Sequence, residues 1–129
     1  MDEPMLQHGV FSWNELMTTD PEAAKSFYKN LFGWTTRDMP MEGMTYTIVS
    51  AAGKDIAGLM GIPAKAQGMP PAWGAYVTVD NVDLTARTAK ELGGKVLMEP
   101  TEIPDVGRFC VIQDPQGATI SAITYKKTS

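Results

Sequence analysis

The chain of 129 residues contains a single cysteine, Cys110, so it can close no internal disulfide. It contains a single histidine, His8, five residues before Trp13 at the expected start of a strand, where it reads as an exposed or capping residue. Positive charge is scarce: 11 Lys and Arg face 15 Asp and Glu, for a net charge of −4. Only Lys126 and Lys127 adjoin one another, and they read as a solvated tail. Gripping a phosphate backbone needs clustered Lys and Arg, so the sequence argues against a nucleic-acid binder. No apolar run approaches the ~18 residues that a membrane helix requires. The opening MDEPMLQHGV is acidic and interrupted by Pro4, which is unlike a secretory leader. These absences lead to the expectation of a cytoplasmic protein with no membrane partner. With 43% hydrophobic and 20% charged residues, the length suits one domain that buries a core without staples.

What is present is well punctuated. Residues 9–17 alternate as a strand, with Val10, Ser12, Asn14 and Leu16 on one face and Phe11, Trp13, Glu15 and Met17 on the other. A helix follows. Asp20 suits its N-cap, Pro21 its first position, Glu22 its positive dipole end, and Gly33 the left-handed residue that stops it. Ala24, Phe27, Tyr28 and Leu31 fall on one helical stripe expected to face a sheet.

The same unit then recurs. A shift of 61 sets Trp13 over Gly74, Leu16 over Val77, Asp20 over Asn81, Leu31 over Leu92 and Gly33 over Gly94. WGAYVTVDNVDLTARTAKELGG is thus a strand, an Asn81 cap and a helix with Val82, Ala86, Ala89 and Leu92 inward. A shift of 64 superposes TYTIVSAAGKDIAGLM (45–60) on FCVIQDPQGATISAIT (109–124), whose DPQG has the chemistry of a type I turn between strands 108–113 and 118–125. Three prolines and three glycines in residues 61–74 mark a linker.

The stretches TTDPEAAKSFYKNLFGW, WGAYVTVDNVD, ELGGKV and GRFCVIQDPQGATIS, spread over about residues 8–125, resemble the vicinal oxygen chelate superfamily. That superfamily includes glyoxalase I, extradiol dioxygenases, fosfomycin-modifying transferases and bleomycin-binding proteins. The resemblance implies an α+β fold in which two βαβββ modules in tandem, about 8–62 and 73–125, form a half-open barrel with helices outside and a central cleft. It marks fold more firmly than reaction, because one scaffold hosts many chemistries. Metal-dependent members take ligands from the first and last strands of each module. Here those positions correspond to Trp13, Gly74, Ser121 and Ala57 or Gly58, none of which suits a divalent ion. The expectation is therefore no metal and no cofactor. Without an ion, glyoxalase-type polarisation of a carbonyl and iron-based activation of dioxygen lose their basis.

The face carrying Trp13 retains chemistry of its own. Alternation sends Glu15 to the same side, and the 61-residue shift sets it against Tyr76 on the paired strand. A carboxylate among apolar walls is desolvated, which raises its pKa toward the range of a general base, while Tyr76 supplies a hydrogen bond to a developing oxyanion. The alternative is structural: Glu15 and Tyr76 bond each other or Arg108. Trp13, Trp73 and the loop methionines Met39, Met41, Met44, Met60 and Met69 suit an adaptable pocket for a flat or aromatic ligand, with Arg108 and Ser121 as polar contacts. Trp34 reads as packing and Cys110 as a small buried hydrophobe.

Two functions of different class follow. The first is metal-free binding of a small apolar or aromatic molecule. The second is a metal-independent isomerase or lyase with Glu15 as base and Tyr76 as donor. A third keeps metal-dependent lyase or dioxygenase chemistry with unusual ligands such as His8 and Glu15. The partners expected are a small-molecule ligand or substrate and, through exposed strand edges, a second copy in a homodimer.

Overall fold

A computed structural model describes residues 3–41, 43–64, 68–103 and 106–126. Its contacts divide the chain into two compact units, Trp13–Gly74 and Ala75–Ser129, the second also taking Met1–Ser12. Parts of the expected linker, residues 65–67, and Lys127 lie outside the described residues.

The first unit takes all but the first two residues of β1 (Phe11–Thr18), followed by α1 (Pro21–Phe32), β2 (Thr35–Met41), β3 (Met44–Ala51) and β4 (Lys54–Gly61). Its strands run β2-β3-β4-β1, with antiparallel β2–β3 and β3–β4 pairs and a parallel β4–β1 pair. The Asp20 carboxylate accepts from Ala23 N at 3.0 Å, Pro21 opens the helix, and Gly33 ends it at φ 75°. Leu16, Val49, Ala57 and Leu59 form the core on the α1 side, with Ala24, Tyr28, Trp34 and Ile56 packed on them. The expected stripe on α1 is corrected here. Ala24 and Tyr28 face the sheet, whereas Phe27 and Leu31 are 59% and 56% exposed. The 3.6-residue period locates a stripe but not the helix rotation that decides which edge is covered. Met39, Met41, Met44 and Met60, expected in loops, belong to strands: Met39 and Met41 to β2, Met44 to β3 and Met60 to β4.

The second unit contains β5 (Ala72–Thr78), α2 (Val82–Glu91), β6 (Lys95–Ile103), β7 (Gly107–Gln113) and β8 (Thr119–Tyr125), in the strand order β5-β8-β7-β6. β5 starts three residues before the boundary between the units. Asn81 caps α2 by accepting from Leu84 N at 3.0 Å, the counterpart of Asp20 one repeat earlier. Val79, Val82, Ala86, Cys110 and Ala122 make this core, while Leu92, expected inward, is 75% exposed because α2 has already ended at Glu91. The left-handed stop is Gly93 at φ 92°, and Gly94 has another role: a Cβ there would lie 2.8 Å from the Gln113 carbonyl oxygen. The DPQG turn forms between β7 and β8, with Gly117 N donating to Asp114 O at 2.9 Å.

The N-terminal segment ties into this second unit. Gly9 N donates to Thr78 O, Thr78 N to Val10 O, and the Thr78 hydroxyl to Met5 O. His8 acts as a cap, its Nδ1 accepting from Asp80 N at 3.0 Å just before α2.

Candidate functional site

Strand alternation sorts the side chains of the first unit by face. In β1, Leu16 points to the α1 core, so Trp13, Glu15 and Met17 share the opposite face. In β4, Ala57 and Leu59 belong to that core, which leaves Gly58 and Met60 beside them on the opposite face, in register with Glu15 and Met17. In β3, Val49 faces the core and Tyr46 and Ile48 face away, Ile48 paired with Gly58. The face away from α1 therefore gathers Trp13, Glu15, Met17, Tyr46, Ile48, Gly58 and Met60.

At its centre Glu15 is buried, the residue 6% exposed, and the Tyr46 hydroxyl donates to its Oε2 at 2.7 Å. The Trp13 indole Nε1–H donates to the same phenol oxygen at 2.9 Å. The three groups form a directed series from indole to phenol to carboxylate. A phenol donating to an ionised carboxylate makes a charge-assisted bond, about twice as strong as a neutral one.

Tyr46 reaches Glu15 only because residue 58 is glycine. A Cβ at Gly58 would overlap the Tyr46 hydroxyl and ring and would lie 2.8 Å from its Cε1. Sequence reasoning assigned Tyr46 no role. The one local sign was an isolated glycine inside the apolar strand DIAGLMG, which marks a close approach. Within its own unit the phenol on Glu15 is thus that of Tyr46.

The other expected site residues are distributed as follows. Met60 lies on the Glu15 face and borders a hollow at the start of α1 that Asp20, Lys25, Met44 and Thr47 also line. The placement of Trp73 differs from the expectation of a ligand contact beside Trp13. Its indole is on the α1 side, where Nε1–H donates to Tyr28 OH at 3.0 Å and the ring meets Tyr28 and Trp34 edge-on at 5.5 and 5.9 Å. The placement of Arg108 differs likewise. Alternation puts it with Cys110 on the α2 side of β7, and its guanidinium clasps the Asp83 carboxylate through two bonds of 2.9 Å. That pairing holds the Asp83 carboxyl below the usual carboxylate range.

Tyr76 and Ser121 belong to the second unit. They are register partners on β5 and β8, both buried, on the face opposite the α2 core, with the Tyr76 ring 6.1 Å from Phe109. Cys110 is fully buried, and burial pushes its thiol up to about 11.

Three of the positions that the resemblance to metal-dependent members marks for ligands, Trp13, Gly58 and Gly74, offer no side-chain donor atom to an ion. The Trp13 nitrogen carries a hydrogen that it donates to Tyr46, Gly58 has no side chain and lies under a phenol, and Gly74 has none. Among the described residues no three His, Cys, Asp or Glu side chains converge on one point. No helix among the described residues is long and apolar enough to cross a membrane.

The family is established by comparison. Residues 9–122 match the model of the Glyoxalase/Bleomycin resistance protein/Dioxygenase superfamily, and the chain belongs to that superfamily. Among its relatives is CFP32 of Mycobacterium tuberculosis, which carries a provisional glyoxylase name, at 40% identity over 89% of this chain and 44% of that protein. The anthracycline biosynthesis protein DnrV of Streptomyces peucetius is 31% identical over 88% of this chain and 46% of its own length. The chain thus spans a little under half of these curated relatives. A glyoxylase-like domain-containing protein of Didymella fabae is 30% identical over 93% of this chain and 97% of its own. The fold matches that of methylmalonyl-CoA epimerase from Mycobacterium tuberculosis with a TM-score of 0.64 at 15% identity, over 98% of this chain and 94% of that one. The expected α+β fold built from two βαβββ modules is the vicinal oxygen chelate fold.

Proposed function

We propose that the chain is a metal-free small-molecule-binding member of its superfamily, and that the face carrying Trp13, Tyr46, Glu15 and Met60 receives a flat apolar or aromatic ligand. The observation that carries this reading is the buried Glu15 carboxylate held by Tyr46 and, through it, by Trp13. A buried carboxylate is costly unless hydrogen-bonded, and the series of indole, phenol and carboxylate supplies both an aromatic surface and an oriented acceptor. A ligand with a ring system and a hydroxyl or amino donor satisfies both. The relative named for anthracycline biosynthesis suggests the aromatic polyketide class. The test is calorimetric titration with an anthracycline aglycone, a simple anthraquinone and an aliphatic acid of similar size. Saturable binding of the polycyclic compounds and none of the aliphatic acid supports the reading; absence of binding by all three overturns it.

A second reading is favoured by the same hydrogen bond. Glu15 acts as a base that removes a proton from carbon next to a carbonyl, and the phenol within its own unit, Tyr46, takes the donor role that the sequence suggested for Tyr76. The Glu15→Gln variant separates the two. A binding protein keeps most of its ligand affinity, whereas a base-dependent turnover falls by orders of magnitude.

A further inference from the structure

We propose that Trp13 is a positioning residue that acts through Tyr46, and that Gly58 is the clearance on which the arrangement depends. The direction of the two hydrogen bonds carries this assignment. A phenol oxygen has one proton to give, and its hydroxyl can rotate between two in-plane directions. The indole of Trp13 has a donor and no acceptor, so its approach at 2.9 Å occupies one side of the oxygen with a hydrogen. The phenol proton is thereby turned away from Trp13 and onto Glu15 Oε2 at 2.7 Å. Trp13 thus sets the state in which Glu15 is presented, and it does so without bonding the carboxylate in that series.

This assigns to residue 13 something beyond the aromatic wall expected from its sequence position. It also makes residue 58 a specificity-determining position. Any side chain there removes the phenol from above the strand, and with it the link from Trp13 to Glu15. The inference rests on the reading above that this face is the ligand site, but its first test needs no ligand.

The three tryptophans, Trp13, Trp34 and Trp73, give three indole N–H signals in a nitrogen–proton NMR spectrum of the full chain. The Trp73 indole, bonded to Tyr28, serves as an internal control. In Tyr46→Phe, which keeps the ring over Gly58, the Trp13 indole proton is expected to move upfield and to exchange with solvent on the order of tenfold faster, the factor one net hydrogen bond carries. In Glu15→Gln the charge at the far end is gone, so the Trp13 signal is expected to shift while the Trp73 signal stays. A Trp13 signal unchanged in Tyr46→Phe, or unchanged in Glu15→Gln, overturns the proposal. With the anthracycline aglycone as probe, Trp13→Phe and Tyr46→Phe are expected to lose the same affinity, and the double variant no more. Additive losses overturn the claim that one acts through the other. Failure of the aglycone to bind, with the indole shifts as expected, overturns only the ligand reading.

Discussion

Replacing Gly58 by alanine adds one methyl group, and the structure states what it meets. Gly58 is not in the left-handed region, so an alanine strains no backbone there. On an open strand the change would stabilise by up to roughly 0.5–1 kcal/mol through lost freedom of the unfolded chain. The methyl instead occupies the place of the Tyr46 phenol. Tyr46 must swing out, Glu15 loses a hydrogen bond of the charged type at roughly 1.5–3 kcal/mol, and the Trp13 N–H loses its acceptor at roughly 1 kcal/mol. After the entropic gain the net destabilisation is about 2 kcal/mol. A double-mutant cycle with Tyr46→Ala isolates this contact. With the phenol gone, Gly58→Ala is expected to be neutral or mildly stabilising, which gives a coupling of about 2–3 kcal/mol. Urea denaturation of the wild type, both single variants and the double variant measures it, provided the denaturant slope stays constant. An equal cost of Gly58→Ala whether Tyr46 is present or already replaced by alanine would refute the reasoning.

Two further outcomes follow from groups away from this face. Asp38 is held below the usual carboxylate range by hydrogen bonds from Lys25 and Thr47, Asp55 by Arg37 and Ser50, and Asp83 by Arg108. Each carboxylate thus contributes stability above its unfolded range near pH 4, and that contribution is lost as pH falls through the lowered folded values. Urea midpoints should fall as pH drops below about 4, and Asp38→Asn should flatten that slope; an unchanged slope contradicts the assignment. Cys110, fully buried with its thiol raised to about 11, should react with a disulfide reagent at neutral pH only as fast as the protein opens. Rapid labelling of the native protein would contradict this.

Local chemistry was the part of this fold that its sequence made readable. The Asp20 and Asn81 caps, the Gly33 stop and the DPQG turn each depend on residues within four positions of one another, and all form. The repeat of β-strand, cap and helix at 61 residues likewise follows from spacing alone. What was not readable needed register. Tyr46 lies 31 residues from Glu15, and only the β3–β4–β1 pairing through Ile48, Gly58 and Glu15 puts both on one face. Trp73 and Arg108 read as site residues because they are the kinds of residue that bind ligands. Their neighbours Tyr28 and Asp83 satisfy them on the helix side of each unit, and nothing within a few positions of either announces that partner. Phe27 and Leu31 show the same limit, since periodicity defines a stripe on α1 and packing selects which half of it is covered.

Titration of the anthracycline aglycone into isotope-labelled protein, followed through the three indole signals, tests most directly whether a ligand sits on the face around Glu15. The Trp13 signal is expected to move and saturate while that of the Trp73 indole, bonded to Tyr28 on the other side of the sheet, stays in place. Saturable binding that shifts the Trp73 signal and leaves the Trp13 signal unmoved would contradict this placement of the ligand.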